Sequence, residues 1–530
     1  MMNLFYFALF CQFLLQLTSG INNNYKKCDP TDEVTLRLNI LAPKELIFNL
    51  KKTDTFLANN NLPIFTVKGD KPDQLIPEKN VMNKLGRFTT YQDRELSSAA
   101  VYFHQRCEFD GIIDTRFIIR NLSIDSIDNT IQVYSEQNLG VQKRNDRYQH
   151  RRSISTENQV NKTIFFTDDD KLNPTRGNLI NKTESSTRVK RDLPDIVYLK
   201  VLLIVGPDIV KELYGNADNQ YTPIVSYLLT QFNNIDMLYS KIERPKIKIN
   251  VAAIIMGLNE ESFPFLKGCY KPMNNYGVSQ IYLDISCIDS AIQLYVQTNL
   301  KLIPPNSYDM AIYITSLPLW YDKINAEVIG TTNPLEAGPY ILRQSSQLRV
   351  PSIIFRDTKD FATFVSLAHE IAHALGYPLH DQAPFVDENG VCCSFIMRPH
   401  GFYCKNCLSW SPDIIQHFEE FFSSRDGCFF TDKPISLEKP LPQKLSSANL
   451  QCQCYGFKRA KISKWSFIDN FCRINKICDN NLHCIDDNGN IHTAPYPHDG
   501  TQCGKSNNKV EKVCWSRTCV PISYQDNIDN

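Results

Sequence analysis

Beyond residue 192 the chain alternates between two kinds of hydrophobic pattern. Ile196 to Val205 is an apolar, β-branched run of strand length. Ile224, Leu228, Phe232, Ile235 and Tyr239 then recur at helical spacing, with Thr222 as the expected N-cap and Pro223 in the first turn. Lys246 to Met256 returns to a strand-like pattern, a helix-like stretch follows Cys287, and strands are predicted at Asp309 to Thr315 and Ser352 to Phe355. A last amphipathic helix follows. Asp360 can cap it, and Phe361, Phe364, Val365, Ala368, Ala372 and Leu375 form its apolar stripe. Strands interleaved with long helices predict an α/β domain built on a mixed, twisted sheet.

The flanking regions pattern differently. The interrupted apolar run Leu4 to Leu17, closed by Thr18, Ser19 and Gly20, reads as a secretory signal peptide over residues 1–20. No later stretch has the roughly 20 apolar residues of a membrane-spanning helix. From about Asp146 to Arg191 the chain is polar, includes the acidic run Asp168 to Asp170, and reads as an exposed linker. Its end, Arg188, Val189, Lys190 and Arg191, matches the Arg-x-Lys-Arg signal cut by furin-like convertases. Residues 21–191 therefore form an expected pro-domain, residues 192–432 a catalytic unit, residues 433–448 a connector and residues 449–530 a separate module. That module has eight cysteines between Cys452 and Cys519 and few large apolar residues, so disulfides should hold it together.

Composition narrows the setting. The 57 basic and 57 acidic residues cancel, which removes any bulk electrostatic case for nucleic acid or an anionic membrane as partner. Eighteen cysteines in an exported chain imply disulfides rather than reduced thiols. The sequons at Asn121, Asn161 and Asn181 fit the same secreted, extracellular setting. A soluble monomer is expected.

The chemistry concentrates on the last helix of the catalytic unit. Residues four apart are neighbours on a helix, so His369 and His373 can reach one metal ion while Glu370 projects beside them toward a bound water. Gly376 suits the left-handed position that ends a helix, and the turn can deliver His380 as a third ligand. Three neutral imidazoles and one open position describe a catalytic zinc site, with Glu370 as general base.

These residues, with Asp381 after the last histidine, resemble the extended zinc motif of the metzincins in its reprolysin (adamalysin) variant. One departure stands out: Tyr377, Pro378 and Leu379 put three residues between the glycine and the third histidine, where the family has two. Inside the helix an insertion would swing a ligand about 100° off its face. In a loop it adds at most roughly 3.3–3.6 Å of reach and can be absorbed as a bulge, so His380 is still expected at the metal. Cys393, Ser394, Phe395, Ile396 and Met397 resemble the family's methionine turn, and the helical run after Trp410 and Ser411 resembles its C-terminal helix. The resemblance covers about Leu193 to Asp432. It implies a metzincin-like catalytic domain, one catalytic zinc ion, and a peptide substrate lying along an edge strand that precedes the active-site helix. A further calcium ion is compatible with it, with no residue marking a site.

Around it, Cys107, Glu108, Phe109, Asp110 and Gly111 resemble the Cys-x-Tyr-x-Gly pattern in propeptides of ADAM-type proteases. Cys107 could supply a latency thiolate to the zinc, or pair with Cys28. Asp499, Gly500, Thr501, Gln502 and Cys503 resemble a segment of the disintegrin-like and cysteine-rich region of ADAMTS proteases, in a layout like that of secreted arthropod venom and salivary metalloproteases. Cys404 and Cys407 read as structural disulfide cysteines. The leading expectation is a zymogen of a secreted zinc endopeptidase acting on extracellular proteins. The alternative is a catalytically weak or inactive binding protein or toxin acting through the cysteine-rich module.

Overall fold

The computed structural model describes residues within 31–143, 193–423 and 448–521. Internal stretches such as 124–129, 215–220, 322–325, 333–339 and 399–406 fall outside the description. The signal segment, the linker with Arg188, Lys190 and Arg191, and the sequons at Asn161 and Asn181 lie outside the described residues.

The first region is largely antiparallel β-structure. Its elements are β1 (Glu33–Leu38), β2 (Leu46–Lys52), β3 (Ile64–Lys68), β4 (Lys71–Pro77), a short helix α1 (Val81–Leu85), β5 (Phe88–Asp93), β6 (Ser98–Phe103), β7 (Glu108–Ile113), β8 (Phe117–Ser123), β9 (Thr130–Val133) and β10 (Val141–Lys143). Eight of these strands form one sheet in the order β10-β8-β7-β6-β5-β2-β1-β9. The β3–β4 hairpin does not join it.

The second region opens with β11 (Ile196–Val205), α2 (Pro207–Leu213), α3 (Thr222–Tyr239) and β12 (Lys246–Gly257). The hairpin β13 (Tyr270–Asn275) and β14 (Val278–Asp284) leads into α4 (Ile285–Thr298) and β15 (Met310–Thr315). Short strands follow: β16 (Leu319–Tyr321), β17 (Ala326–Val328), β18 (Gly330–Thr332), β19 (Tyr340–Leu342) and β20 (Gln347–Arg349). Then come β21 (Ser352–Arg356), α5 (Phe364–Ala374), β22 (Phe385–Val386), β23 (Cys392–Phe395), β24 (Cys407–Ser409) and α6 (Pro412–Ser423). Strand β11 forms where its apolar run predicts, and nine of its ten residues are buried. Such a run suits a central parallel strand covered on both faces.

The main sheet runs β18-β21-β15-β11-β12-β3-β4. Strands β12, β11, β15 and β21 are parallel neighbours, whereas β18 is antiparallel to β21 and forms one edge. Beyond β12 lies β3, in parallel register from Ile254 opposite Ile64 to Gly257 opposite Val67. Two strands from before Arg191 thus complete the sheet of the expected catalytic unit, so the boundary at Arg191 is not a boundary of the fold.

Helix ends differ from the sequence expectation. Thr222 lies inside α3, whose N-cap is Tyr221 without a side-chain cap bond. Helix α5 starts after Thr363, and Phe361 precedes it at φ 58°. Asp360 lies outside the described residues.

The tail forms two small three-stranded sheets, β25 (Arg459–Ala460), β26 (His483–Ile485) and β27 (Ile491–Thr493), then β28 (Gln502–Lys505), β29 (Glu511–Trp515) and β30 (Thr518–Pro521). Disulfides Cys452–Cys484, Cys478–Cys514 and Cys503–Cys519 cross them and form the centre of their small cores. Cys269–Cys287 staples the start of α4 to the loop before β13.

Candidate metal centre

Helix α5 is buried along nearly all its length, packed beneath the sheet and against α3. The Tyr239 hydroxyl donates to the Ala368 carbonyl at 2.9 Å, and the Trp410 indole N–H donates to Leu238 O at 2.9 Å, so α3 braces α5 from one side and anchors the segment before α6. His369, Glu370 and His373 are 3–4% exposed. Buried polar groups at that depth require partners.

Those partners fix the imidazole tautomers. His369 Nδ1 lies 3.0 Å from the Ile396 carbonyl, and His373 Nδ1 lies 2.6 Å from the Tyr377 carbonyl. A carbonyl only accepts, so both Nδ1 atoms carry the proton and both Nε2 atoms present a lone pair. Yet His369 Nε2 and His373 Nε2 are 3.0 Å apart, and His373 Nε2 and His380 Nε2 are 3.1 Å apart. The two lone pairs of His369 and His373 cannot bond each other at that distance. Protonation is no remedy, because burial first, and then the neighbouring imidazoles, push the His369 pKa well below 6.5 and that of His373 down to about 3. A cation among the three Nε2 atoms resolves the conflict. Tetrahedral zinc with bonds of ~2.0–2.1 Å would set nitrogens about 3.3 Å apart, close to the spacing seen.

The turn after α5 explains how His380 arrives. Gly376 takes φ 85°, its N–H bonds the His373 carbonyl at 2.8 Å, and the Tyr377 N–H bonds Ala372 O at 3.2 Å. This double bond pattern is a Schellman ending, which needs the left-handed residue that glycine supplies. It turns the Tyr377 carbonyl back onto His373. His380 then reaches the other two imidazoles despite the longer loop, while Pro378 and Leu379 lie outside the described residues. Met397 is fully buried next to Ile396, whose carbonyl orients His369. The backbone of this turn therefore orients His369.

Two residues escaped the sequence reading. The Thr332 hydroxyl, on edge strand β18, donates to Glu370 Oε2 at 2.8 Å and lies 3.0 Å from the Glu370 carbonyl. At Gly330 an added Cβ would lie 2.9 Å from Glu370 Cγ. Glycine here lets β18 pass close beside the carboxylate. An isolated glycine within a strand-like run, Val328 to Thr332, is the signal that marks such an approach.

The latency expectation for Cys107 does not hold. This residue is disulfide-bonded, and a disulfide sulfur cannot act as a thiolate ligand. The second group with metal-like spacing, Cys478, Cys503 and Cys519, consists of cysteines already engaged in disulfides.

No family model matches the chain. It is 26% identical over 284 residues to an "A disintegrin and metalloproteinase with thrombospondin motifs like" protein of Bombyx mori, a match covering 51% of this chain and 39% of that protein. It is 23% identical over 357 residues to A disintegrin and metalloproteinase with thrombospondin motifs 13 of Mus musculus, covering 63% and 22%. The chain thus spans less than half the length of these curated relatives. A metalloproteinase-II from Bacteroides fragilis aligns over 77% of this chain and 94% of its own at 13% identity, with a TM-score of 0.28. The resemblance drawn from the histidine motif is borne out by the two curated relatives: the chain is similar to ADAMTS-like metalloproteinases. None of the helices of the described residues is long and apolar enough to cross a membrane.

Proposed function

We propose that this chain is a secreted zinc metalloendopeptidase, made as a zymogen, that hydrolyses peptide bonds of extracellular proteins. The observation that carries the reading is the convergence of three Nε2 atoms beside a buried carboxylate. His369, His373 and His380 would hold the metal. When bound, zinc supplies a Lewis acid for the scissile carbonyl and lowers the pKa of a coordinated water. With the metal held there, the Glu370 carboxylate would act as general base toward water and then as general acid toward the leaving amine, with no covalent enzyme intermediate. Thr332 keeps Oε2 directed inward. Strand β18, at the sheet edge, offers backbone donors and acceptors to an extended peptide, a mode that tolerates many sequences.

A furin-like convertase is the proposed processing partner at Arg191, and the disulfide-rich tail would dock substrate away from the centre. Disulfides in the described tail support an oxidising, extracellular setting. The alternative of a pure binding protein gains no support from Glu370, since a binder needs no buried general base. The deciding experiment is to express the full chain, cut it at Arg191, measure bound zinc, and assay a broad peptide library with and without chelator alongside Glu370→Ala. Stoichiometric zinc without chelator-sensitive cleavage would remove the enzyme reading.

A further inference from the structure

Helix α3 is buried on every side: of its residues only Pro223 is not buried. One side carries Leu228, Phe232 and Ile235 among the core of the main sheet. Another carries Ser226, Asn233 and Asp236, polar residues of the kind expected to face water. Here they face the antiparallel sheet instead. The Gln92 amide donates to Asn233 Oδ1 at 3.1 Å and to Asp236 Oδ2 at 2.9 Å. The Asn233 amide donates to the Ala100 carbonyl at 3.0 Å, and Arg106 donates to Ser226 Oγ at 3.0 Å. Asp236 is wholly enclosed, and burial raises its pKa.

The same joint is apolar between these bonds. Leu57, Leu62, Ile64, Val81, Met82, Leu85, Ala99, Val101, Phe103, Ile112 and Ile118 share one continuous core with α3, α5 and β11. At the sheet, Ile254 N donates to Pro63 O, Leu258 N to Val67 O and Val251 N to Leu57 O, at 2.7–3.0 Å. Near the start of α5, Arg120 donates to the Lys359 carbonyl at 2.6 Å and lies over the Phe361 ring. That ring stacks on Tyr227, whose hydroxyl donates to Asp357.

We infer that the segment spanning Glu33–Ser123 is a permanent non-covalent subunit of the mature protein, retained after the chain is cut at or near Arg191. A removable inhibitor would leave a core that closes without it. This one supplies two strands of the main sheet, one wall of its core and the hydrogen-bond partners of a buried carboxylate. Cutting therefore leaves the segment in place. The inference rests on the processing at Arg191 proposed above, and not on zinc binding or catalysis.

The test replaces residues 188–191 with the recognition sequence of an added site-specific protease and cuts the purified full chain to completion. Gel filtration at low protein concentration and high salt should then return both pieces at the elution volume of the uncut chain. The two pieces should separate on a denaturing gel without reductant. Hydrogen exchange at the Ile254 and Leu258 amides should stay as slow as in the uncut protein. Separate elution of the pieces, or fast exchange at those amides, would overturn the inference. Pieces that remain joined on the denaturing gel would overturn its non-covalent basis. None of these readouts involves zinc or peptide cleavage, so a failed activity assay bears only on the enzymatic proposal.

Discussion

Helices α3 and α5 are both buried almost all round, and both carry polar side chains into the interior, but the two polar faces are satisfied in opposite ways. On α5 and the turn after it, the Nε2 atoms of His369, His373 and His380 stand 3.0–3.1 Å from one another, an arrangement that a cation would complete. On α3 the groups are a carboxylate, an amide and a hydroxyl, completed by Gln92, Ala100 and Arg106 from a distant part of the same chain. A buried polar face thus points to a ligand in both cases. The chemistry of the face decides whether that ligand is an ion or a polypeptide.

The largest expected effect breaks the α5 side of this comparison. His373→Ala should abolish stoichiometric zinc binding, read by metal analysis, together with all chelator-sensitive cleavage, while Gln92 variants keep both. On the α3 side, Gln92→Leu leaves Asp236 and Asn233 short of a donor in a buried place, at a cost of about 1–3 kcal/mol. Denaturant unfolding should show the lower midpoint, with zinc content unchanged. A smaller effect sits at the edge strand. Thr332→Val should lower kcat about tenfold, the equivalent of ~1.4 kcal/mol, with zinc binding intact, and Thr332→Ser should restore it. If Val and Ser variants behave alike, the hydroxyl does not position Glu370.

The smallest effect concerns pH. Burial raises the Asp236 pKa above 3.8, so the folded state holds this proton more tightly than the unfolded chain. The stabilisation from that proton is complete below 3.8 and is lost as pH rises through the elevated folded value. Urea midpoints should therefore fall over that window more steeply in the wild type than in Asp236→Asn. Equal slopes would mean that Asp236 stays ionised in its enclosure.

Local pattern made the α5 chemistry legible. The four-residue spacing of His369 and His373, the glycine at 376 and the Ile196–Val205 run each act within a few residues, and the fold keeps all three. Cap positions were less legible, since Tyr221 and Thr363 cap by position without a side-chain bond. The joint between the two regions was not legible at all. Nothing local in Ile64–Lys68 says that it will lie beside Ile254–Gly257, because strand pairing is settled by contacts far apart in sequence. Strand β18 is only three residues long, below the length at which alternation is informative, and Gly330 was its sole mark.

Strand β3 also has a consequence for how the molecule behaves in bulk. Without it, β12 would end the sheet as a long row of open N–H and C=O groups flanked by Ile254, Ile255 and Met256. Such an edge is a template for pairing between copies. A protein begun at Leu193 should therefore assemble edge to edge and come out of solution, whereas the hairpin of β3 and β4 closes that side within each molecule and keeps neighbours apart.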